Sequence, residues 1–402
     1  MNTNSEIFDD KISRKKYIKR LSQLMALSFI LEIILSWRLW IPVDREFPMV
    51  SAFSWFDFSM GSVGGGILTF TLVTALAFIL VDKHRKLAIQ IMFASLLVLI
   101  LEDITRFQPW VYIQGTILIF IGFYKNGREN AIQSGATLVV ALTYIWSGIQ
   151  KLNLGFIKET FPWILSTFGF DLQIKPDQAI GISNYLILLV PLLECLIGFF
   201  LLISKTRKPG VIMGIFMHLF IILSLGPIGH NWNQIVLPWN LSLALFLILF
   251  YLHKDRIRIT EGFKPIKLNY FILILFGMMP ALNFFGYWDS ALSGAMYSGT
   301  HSNVAYYFNA RNNVELTKNR EASTTVIIYK NSDFSVSKTW LSYWSINDIN
   351  VPFYQAERYY KRLGKKLCKA SKFPSSSGIE ITTRSKFHGA KLIRRYSCKD
   401  LR

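Results

Sequence analysis

Apolar residues in this chain fall into long blocks, which short polar and basic stretches separate. A helix that crosses a bilayer needs about 20 predominantly apolar residues, and blocks of roughly that length recur up to about residue 290. The pattern predicts nine transmembrane segments, at roughly 22–40, 62–81, 87–103, 110–124, 134–153, 182–204, 209–228, 233–252 and 268–287. The fourth block is short, so eight segments are the alternative.

The pattern changes after the last apolar block. Runs with β-branched and aromatic residues predict strands at Val304–Phe308, Thr324–Tyr329, Gly378–Thr383 and Lys391–Ser397. A helix is predicted between them, at Gln355–Cys368. The expected fold is therefore an all-α polytopic membrane bundle followed by a small extracytoplasmic α+β domain. Its parts are a basic amino-terminal segment (1–21), a transmembrane domain (22–290) and the α+β domain (296–402).

Composition and charge agree with a membrane protein. The chain is 52% hydrophobic and yet carries a formal charge of +19. Lys and Arg concentrate in short cytoplasmic loops, and alternate predicted loops are basic: Lys11–Arg20, Asp82–Lys86, Lys125–Arg128, Lys205–Lys208 and His253–Arg258. This alternation predicts a cytoplasmic amino terminus and an extracytoplasmic tail. The first twenty residues lack the apolar core of a signal peptide, so the first apolar block is expected to remain as an anchor.

The tail is strongly basic, with 19 Lys and Arg against 7 Asp and Glu from residue 301 onward. Solubility is the plainest interpretation, and contact with lipid headgroups or an anionic protein partner is the alternative. An extracytoplasmic location disfavours nucleic acid as a partner. It also permits a disulfide between Cys368 and Cys398, with two free thiols as the alternative. The sequence has no His and Cys cluster with metal-ligand spacing, so no metal site is predicted.

The fifth apolar block contains a lysine that is a candidate catalytic base. Tyr144, Ser147, Gly148 and Lys151 lie at i, i+3, i+4 and i+7, which places them on one helix face. An ionisable group in a membrane helix is a functional hypothesis by default, and burial can leave an amine uncharged and usable as a base. Tyr144 and Ser147 could bond the amine, and Gly148 could let a ligand or another helix approach. The alternative is that Lys151 snorkels to the headgroups.

Two further ionisable residues lie in the middle of later blocks. Glu194 is too short to snorkel, so it must be protonated, paired or facing a polar cavity; pairing with Lys151 is a purely structural explanation. His218 could relay a proton or be a hydrogen-bonded core residue. His230 lies at a block boundary, where it could line a substrate cavity or anchor the interface. Asp103 and Arg106, at i and i+3, are expected to form an ion pair.

The lysine segment carries a resemblance to a known family. Tyr144-Ile-Trp-Ser-Gly-Ile-Gln-Lys-Leu-Asn153 resembles the signature Tyr-x-x-Ser/Ala-Gly-x-x-Lys-Leu of the vitamin K-dependent γ-carboxylase-like proteins, the horizontally transferred transmembrane domain (HTTM) family. Phe216-Met-His218 and the aromatic loop at 47–56 are similar to further features of that family. The resemblance covers about residues 20–290. It implies that Lys151 matches the lysine that serves these carboxylases as the base deprotonating reduced vitamin K, and that His218 matches the histidine of their Phe/His-containing helix.

One element departs from the carboxylases. They have an Asn-His-x-Tyr element after the third span, whereas this chain has Phe107-Gln-Pro-Trp-Val-Tyr112 without a histidine. The tail is also smaller than their lumenal region. The resemblance therefore favours a relative that acts on a quinone-like or lipid substrate rather than vitamin K-dependent carboxylation.

Two functions follow as expectations. The first is an integral-membrane enzyme that uses Lys151 as a base on a small amphipathic substrate, such as a quinone-like molecule, with Tyr144, Glu194 and His218 tuning the lysine. The second is a non-catalytic membrane scaffold that binds lipid and presents its basic tail to an extracytoplasmic protein partner. Transport is weakened by the absence of obvious inverted repeats.

Overall fold

The computed structural model describes residues 3–55, 58–125, 127–170, 172, 181–253, 257, 259–264, 267–300, 302–309, 329–331, 334–371, 374–384 and 391–401. The α-helices up to residue 285 are α1 (Thr3–Leu35), α2 (Trp37–Trp40), α3 (Gly61–Leu80), α4 (Arg85–Glu102), α5 (Pro109–Phe123), α6 (Glu129–Lys151), α7 (Phe161–Ser166), α8 (Leu189–Leu202), α9 (Arg207–Leu225), α10 (Val236–Leu252), α11 (Lys267–Ile272) and α12 (Met279–Leu282). One π-helical turn, Leu273–Met278, joins α11 to α12.

Among the described residues, five helical segments are long and apolar enough to cross a membrane. They are Gly61–Leu80, Glu129–Lys151, Asn184–Leu202, Ser204–Leu225 and Leu268–Phe285. Two more apolar helices are shorter, α5 with 15 residues and α10 with 17. Each of the nine predicted blocks coincides with helix over most of its length. The chain is thus a mainly helical membrane protein, and the number of nine spans stays a prediction.

Basic turns gather at one end of the helix bundle. Lys19 on α1 pairs with Asp82 in the α3–α4 turn at 3.2 Å. Lys86, at the start of α4, donates to the Tyr124 carbonyl just after α5 at 3.1 Å. These contacts bring the beginning of α1 and two of the predicted basic loops together. We call this region, where α6 also begins, the basic end of the bundle.

The tail folds into a five-stranded antiparallel sheet with two helices. Its strands are β1 (Asn303–Asn309), β2 (Tyr329–Asn331), β3 (Phe334–Trp340), β4 (Gly378–Arg384) and β5 (Lys391–Ser397), in the spatial order β2-β3-β1-β4-β5. The helices are α13 (Leu341–Ile349) and α14 (Glu357–Ala370). The predicted small α+β fold agrees with this arrangement. Of the predicted strand Thr324–Tyr329, residues 324–328 lie outside the described residues.

A disulfide between Cys368 and Cys398 fastens the end of α14 to the residue after β5, with Cα atoms 5.5 Å apart. The side chains of Ile379 and Leu401 lie within 3.0 Å of where a Cβ on Gly364 would sit. The helix therefore packs directly on the sheet, and the disulfide closes the end of that contact.

The tail rests on the end of the bundle where α1 ends and α6 finishes. Asp348 accepts hydrogen bonds from the backbone amides of Glu46 and Phe47, at 2.9 and 2.6 Å, and pairs with Arg38 at 3.2 Å. The Phe47 ring lies 5.3 Å from that of Trp344. One hydrophobic cluster runs from the helices into the tail. We call this the tail end of the bundle.

Two buried ion pairs support the α4–α5 turn beneath the tail. Arg106 pairs with Glu102 at 2.8 Å, and Arg45 pairs with Asp103 at 2.7 Å. The predicted pairing of Asp103 with Arg106 is therefore wrong. Asp103 caps the turn by accepting from the Thr105 amide at 3.0 Å, and this orientation turns its carboxylate toward the loop that carries Arg45.

Candidate functional site

Lys151 and Glu194 form an ion pair near the tail end of the bundle. The Lys151 ammonium lies 2.8 Å from Glu194 Oε2 and 3.1 Å from Oε1, so it meets both carboxylate oxygens. It also donates to Ser147 Oγ at 2.5 Å. The two charged side chains are only 13% and 12% exposed. Lys151 thus turns inward to a carboxylate, which differs from the snorkelling alternative.

Close packing of two antiparallel helices positions this pair. A Cβ on Gly148 of α6 would lie 2.4 Å from the Pro191 carbonyl oxygen and 2.4 Å from Cys195 Sγ on α8. A Cβ on Gly198 of α8 would lie equally close to the Ala141 carbonyl oxygen of α6. The helices can approach this closely only because both positions lack a side chain. Of the two predicted roles for Gly148, the structure shows the approach of a helix, so α8 occupies the place of a ligand there.

A second polar chain crosses the bundle one turn before Ser147. Tyr144 Oη lies 2.5 Å from His218 Nε2, and His218 Nδ1 lies 2.8 Å from Asn240 Oδ1. Asn240 Nδ2 donates to the Val236 carbonyl at 2.8 Å, which leaves Oδ1 as the acceptor. In the neutral ring, Nδ1–H therefore donates to Asn240, and Nε2 accepts the Tyr144 hydroxyl proton. All three side chains are buried.

The two groups draw their side chains from four different helices. Lys151, Ser147 and Tyr144 come from α6, and Glu194, His218 and Asn240 come from α8, α9 and α10. Such residues inside a membrane domain typically mark a substrate or proton path. Chemically, the first group can exchange a proton between an amine and a carboxylate, and the second can pass one between a phenol and an imidazole.

His230 belongs to a different cluster. Its ring stacks on Trp163 at 4.5 Å between centroids, and its Nε2 donates to the Trp163 carbonyl at 2.6 Å. Trp232 and Tyr297 also pack on the Trp163 ring. The described contacts of His230 therefore match the predicted interface anchor better than the predicted substrate contact.

Sequence reasoning missed two buried carboxamide residues that organise polar networks. Asn240 orients His218. The sequence could have indicated it, because Asn240 is a carboxamide within an apolar block, and such side chains form hydrogen bonds between membrane helices. Gln114 belongs to a third buried group, where its Nε2 donates to Glu32 Oε1 at 2.9 Å. Ser28 donates to the same oxygen at 2.9 Å. Glu32 is fully buried, and neutral side chains supply these two hydrogen bonds.

The described residues contain no cluster of three or more His, Cys, Asp or Glu side chains that could hold a metal ion. Comparison with known proteins adds no assignment, because no family model, curated protein or solved structure matches this chain. The geometry of the two polar groups therefore carries the functional argument.

Proposed function

We propose that this membrane protein binds a small amphipathic molecule, quinone-like or lipid, beside the Lys151–Glu194 pair and removes a proton from it. The carrying observation is that an amine and a carboxylate meet at 2.8 Å in an apolar bundle while both stay partly accessible. A buried ion pair usually contributes little net stability compared with apolar side chains of the same size, so stability alone does not account for this pair. A substrate that reaches the exposed edge of the pair would meet a proton acceptor.

The chemistry needs only one proton to move at each step. In the resting pair, the Lys151 ammonium can pass a proton to Glu194, which leaves a neutral amine beside a carboxylic acid. The amine then takes a proton from an acidic hydroxyl of the substrate, which leaves the substrate anionic and Lys151 as an ammonium bonded to Ser147. Glu194 releases its own proton to water at the exposed edge of the pair, and this restores the resting ion pair. Tyr144 and His218, one turn away, are positioning residues that fix the α6–α9 contact beneath the substrate.

The orientation of the chain is part of the proposal. We infer that the basic end faces the cytoplasm and that the tail end faces the outside. The gathering of lysines and arginines at one end and a disulfide at the other support this orientation. Single cysteines at Lys83 and Lys365, in a background with Cys195 replaced by alanine, test it. An impermeant maleimide applied to intact cells should label position 365 and leave position 83 unlabelled; the reverse pattern would contradict the orientation.

The ligand itself can be tested by mass spectrometry of lipid extracts. Protein purified from membranes should carry a co-purifying quinone-like molecule or lipid, and Lys151→Met should lower its amount at least tenfold. Lys205→Met, at an exposed lysine of the basic end, is the control and should retain the ligand. Retention by Lys151→Met at the normal level, with normal membrane expression, would contradict the proposal.

The second candidate is a non-catalytic scaffold that presents the tail to a protein partner. One observation favours it: the edge strand β5 has Leu392 and Ile393 about half exposed beside basic residues. An edge strand of this kind can pair with another chain. Cross-linking to a partner that survives Lys151→Met and fails after Ile393→Lys would favour the scaffold over the enzyme.

A further inference from the structure

A basic pocket lies at the end of the bundle opposite Lys151. Its volume is about 550 Å³, and it opens between α1, the α3–α4 turn and the α5–α6 connection. Its cationic lining residues are Lys15, Lys16, Lys19, Arg85, Lys86 and Lys125. Glu129 on its wall and Lys151 are the two ends of α6, about 33 Å apart at 1.5 Å per residue. The basic pocket is therefore separate from the site of the proposed function.

Charge in the basic pocket is unbalanced. Two acidic residues, Asp82 and Glu129, face six cationic ones, which leaves a formal charge of +4. Asp82 already holds Lys19 at 3.2 Å and Arg85 at 3.0 Å. Like charges gathered in a concave site repel one another and concentrate anions. An anion with several acceptor oxygens would relieve that repulsion, and a phosphate group is the common biological example.

The walls of the pocket are apolar as well as basic. Ile18, Ile121 and Ile132 are buried beneath the cationic rim. Beside the rim, Leu87 and Phe123 are about half exposed at the ends of α4 and α5, where acyl chains would run. A phosphate on an apolar tail satisfies both features, whereas a small soluble phosphate uses only the rim.

We propose that the basic pocket binds the phosphate group of an acidic glycerophospholipid, with its acyl chains against the exposed ends of α4 and α5. Lys86 is held toward the pocket by its bond to the Tyr124 carbonyl, and this contact ties the site to both helices. Basic pockets between membrane helices are known to receive anionic headgroups. The bound lipid would join α1, α4 and α6 at the basic end.

Native mass spectrometry of the delipidated full chain in a nonionic detergent tests this proposal. The probes are phosphatidylglycerol, phosphatidylcholine with the same acyl chains, and inorganic phosphate. Phosphatidylglycerol should bind at least tenfold more tightly than phosphatidylcholine and should raise the melting temperature. Equal binding of the two lipids would overturn the proposal. Inorganic phosphate that competes at equal concentration would overturn the lipid source and leave a site for a soluble phosphate.

Matched triple variants separate the pocket from general surface charge. Lys15→Gln/Lys16→Gln/Lys125→Gln should lower phosphatidylglycerol affinity at least tenfold, and the corresponding arginine variant should restore it. Arg20→Gln/Lys83→Gln/Lys208→Gln removes the same charge from basic segments outside the pocket lining and should change affinity less than twofold. Equal loss in both glutamine variants would overturn the site. All the changed side chains are exposed, and the melting temperature without lipid verifies that each variant is folded.

Discussion

At the scale of single residues, Lys151 and Glu194 depend on each other. Each side chain is about seven-eighths buried, so removing one leaves the other charged, desolvated and unpaired. We predict that Lys151→Met lowers the free energy of unfolding by about 2 kcal/mol, somewhat less than for a fully buried pair. Lys151→Met/Glu194→Leu should recover most of that loss. Chemical denaturation of the purified protein measures both.

The double variant also separates stability from function. If the pair carries out the proposed chemistry, Lys151→Met/Glu194→Leu will be stable but will have lost the co-purifying ligand. A stable double variant that keeps the ligand would reduce the pair to a structural contact. A single variant as stable as the natural protein would show that the charge on Glu194 is solvated in some other way.

The Tyr144–His218–Asn240 chain gives a second prediction at this scale. Asn240→Leu removes the acceptor of His218 Nδ1–H and leaves a buried donor without a partner. Such a group costs about 1–3 kcal/mol, so we expect a loss of that size in thermal or chemical unfolding. Tyr144→Phe should cost less stability, because it leaves the Nε2 acceptor of His218 without a donor but leaves no buried N–H group unpaired. Tyr185→Phe, at an exposed tyrosine, is the control; a loss in Tyr185→Phe equal to that in Asn240→Leu would contradict the assignment.

At the scale of elements, the crossing of α6 and α8 decides whether Glu194 reaches Lys151. Gly148→Ala would place a methyl group 2.4 Å from the Pro191 carbonyl oxygen, a backbone atom that cannot rotate away. We expect α8 to shift and the protein to lose about 1–3 kcal/mol. Gly66→Ala in α3 is the matched control, because nothing lies within 4 Å of its added Cβ. There the greater helix propensity of alanine makes a neutral or slightly stabilising change the expected result.

The sheet of the tail contains a pH-sensitive element. Glu380 on β4 accepts from Lys338 Nζ at 2.8 Å and from Arg395 Nε at 2.7 Å. Burial opposes its charged form, but the two cationic neighbours outweigh burial and hold the pKa of Glu380 below its ordinary value. Because the folded-state pKa is lowered, the ionised Glu380 stabilises the fold fully at pH values above the ordinary glutamate pKa near 4.3. That stability is lost as the pH falls through the lowered pKa.

The lowered pKa of Glu380 leads to a prediction for the variant Glu380→Gln. The variant should be about 1–2 kcal/mol less stable than the natural protein at pH 7, and the difference should shrink steadily below pH 4. Denaturant unfolding followed by hydrogen exchange in peptides that cover β4 measures it. Glu357→Gln removes an exposed carboxylate that also pairs with two cations, and it should cost less than 1 kcal/mol. A difference for Glu380→Gln that is constant with pH would contradict the ionic origin.

At the scale of the whole molecule, local patterns predicted most elements but few of their partners. Apolar blocks placed the helices because the bilayer fixes their length and composition. Contacts between distant segments could not be predicted from local sequence patterns. Asp103, for example, pairs with Arg45 rather than with its neighbour Arg106. Strand β3 was missed for the same reason. Lys338 interrupts its apolar alternation, and its ammonium pairs with Glu380 on β4, across the intervening strand β1.

The last prediction concerns how the tail is held on the bundle. Asp348 accepts from the Glu46 and Phe47 amides with one oxygen and meets Arg38 with the other. Both oxygens of Asp348 face hydrogen-bond donors. Asp348→Asn replaces one oxygen with an NH2 group, so that a donor would face either the two backbone amides or the Arg38 guanidinium. We expect the contact to weaken by about 1–3 kcal/mol, so that hydrogen exchange quickens in peptides covering 41–50 and 341–350.

Asp44→Asn is the matched control for this contact, because it removes the same charge from an exposed residue of the same loop. Asn tolerates the positive φ of 53° at position 44 as well as Asp does, so exchange should be unchanged there. Equal acceleration in both variants would assign the effect to loop charge rather than to docking. Faster exchange in Asp348→Asn alone would assign the effect to the docking contact. If that variant also loses the ligand proposed beside Lys151, the docked tail is required for ligand binding and is not an independent domain.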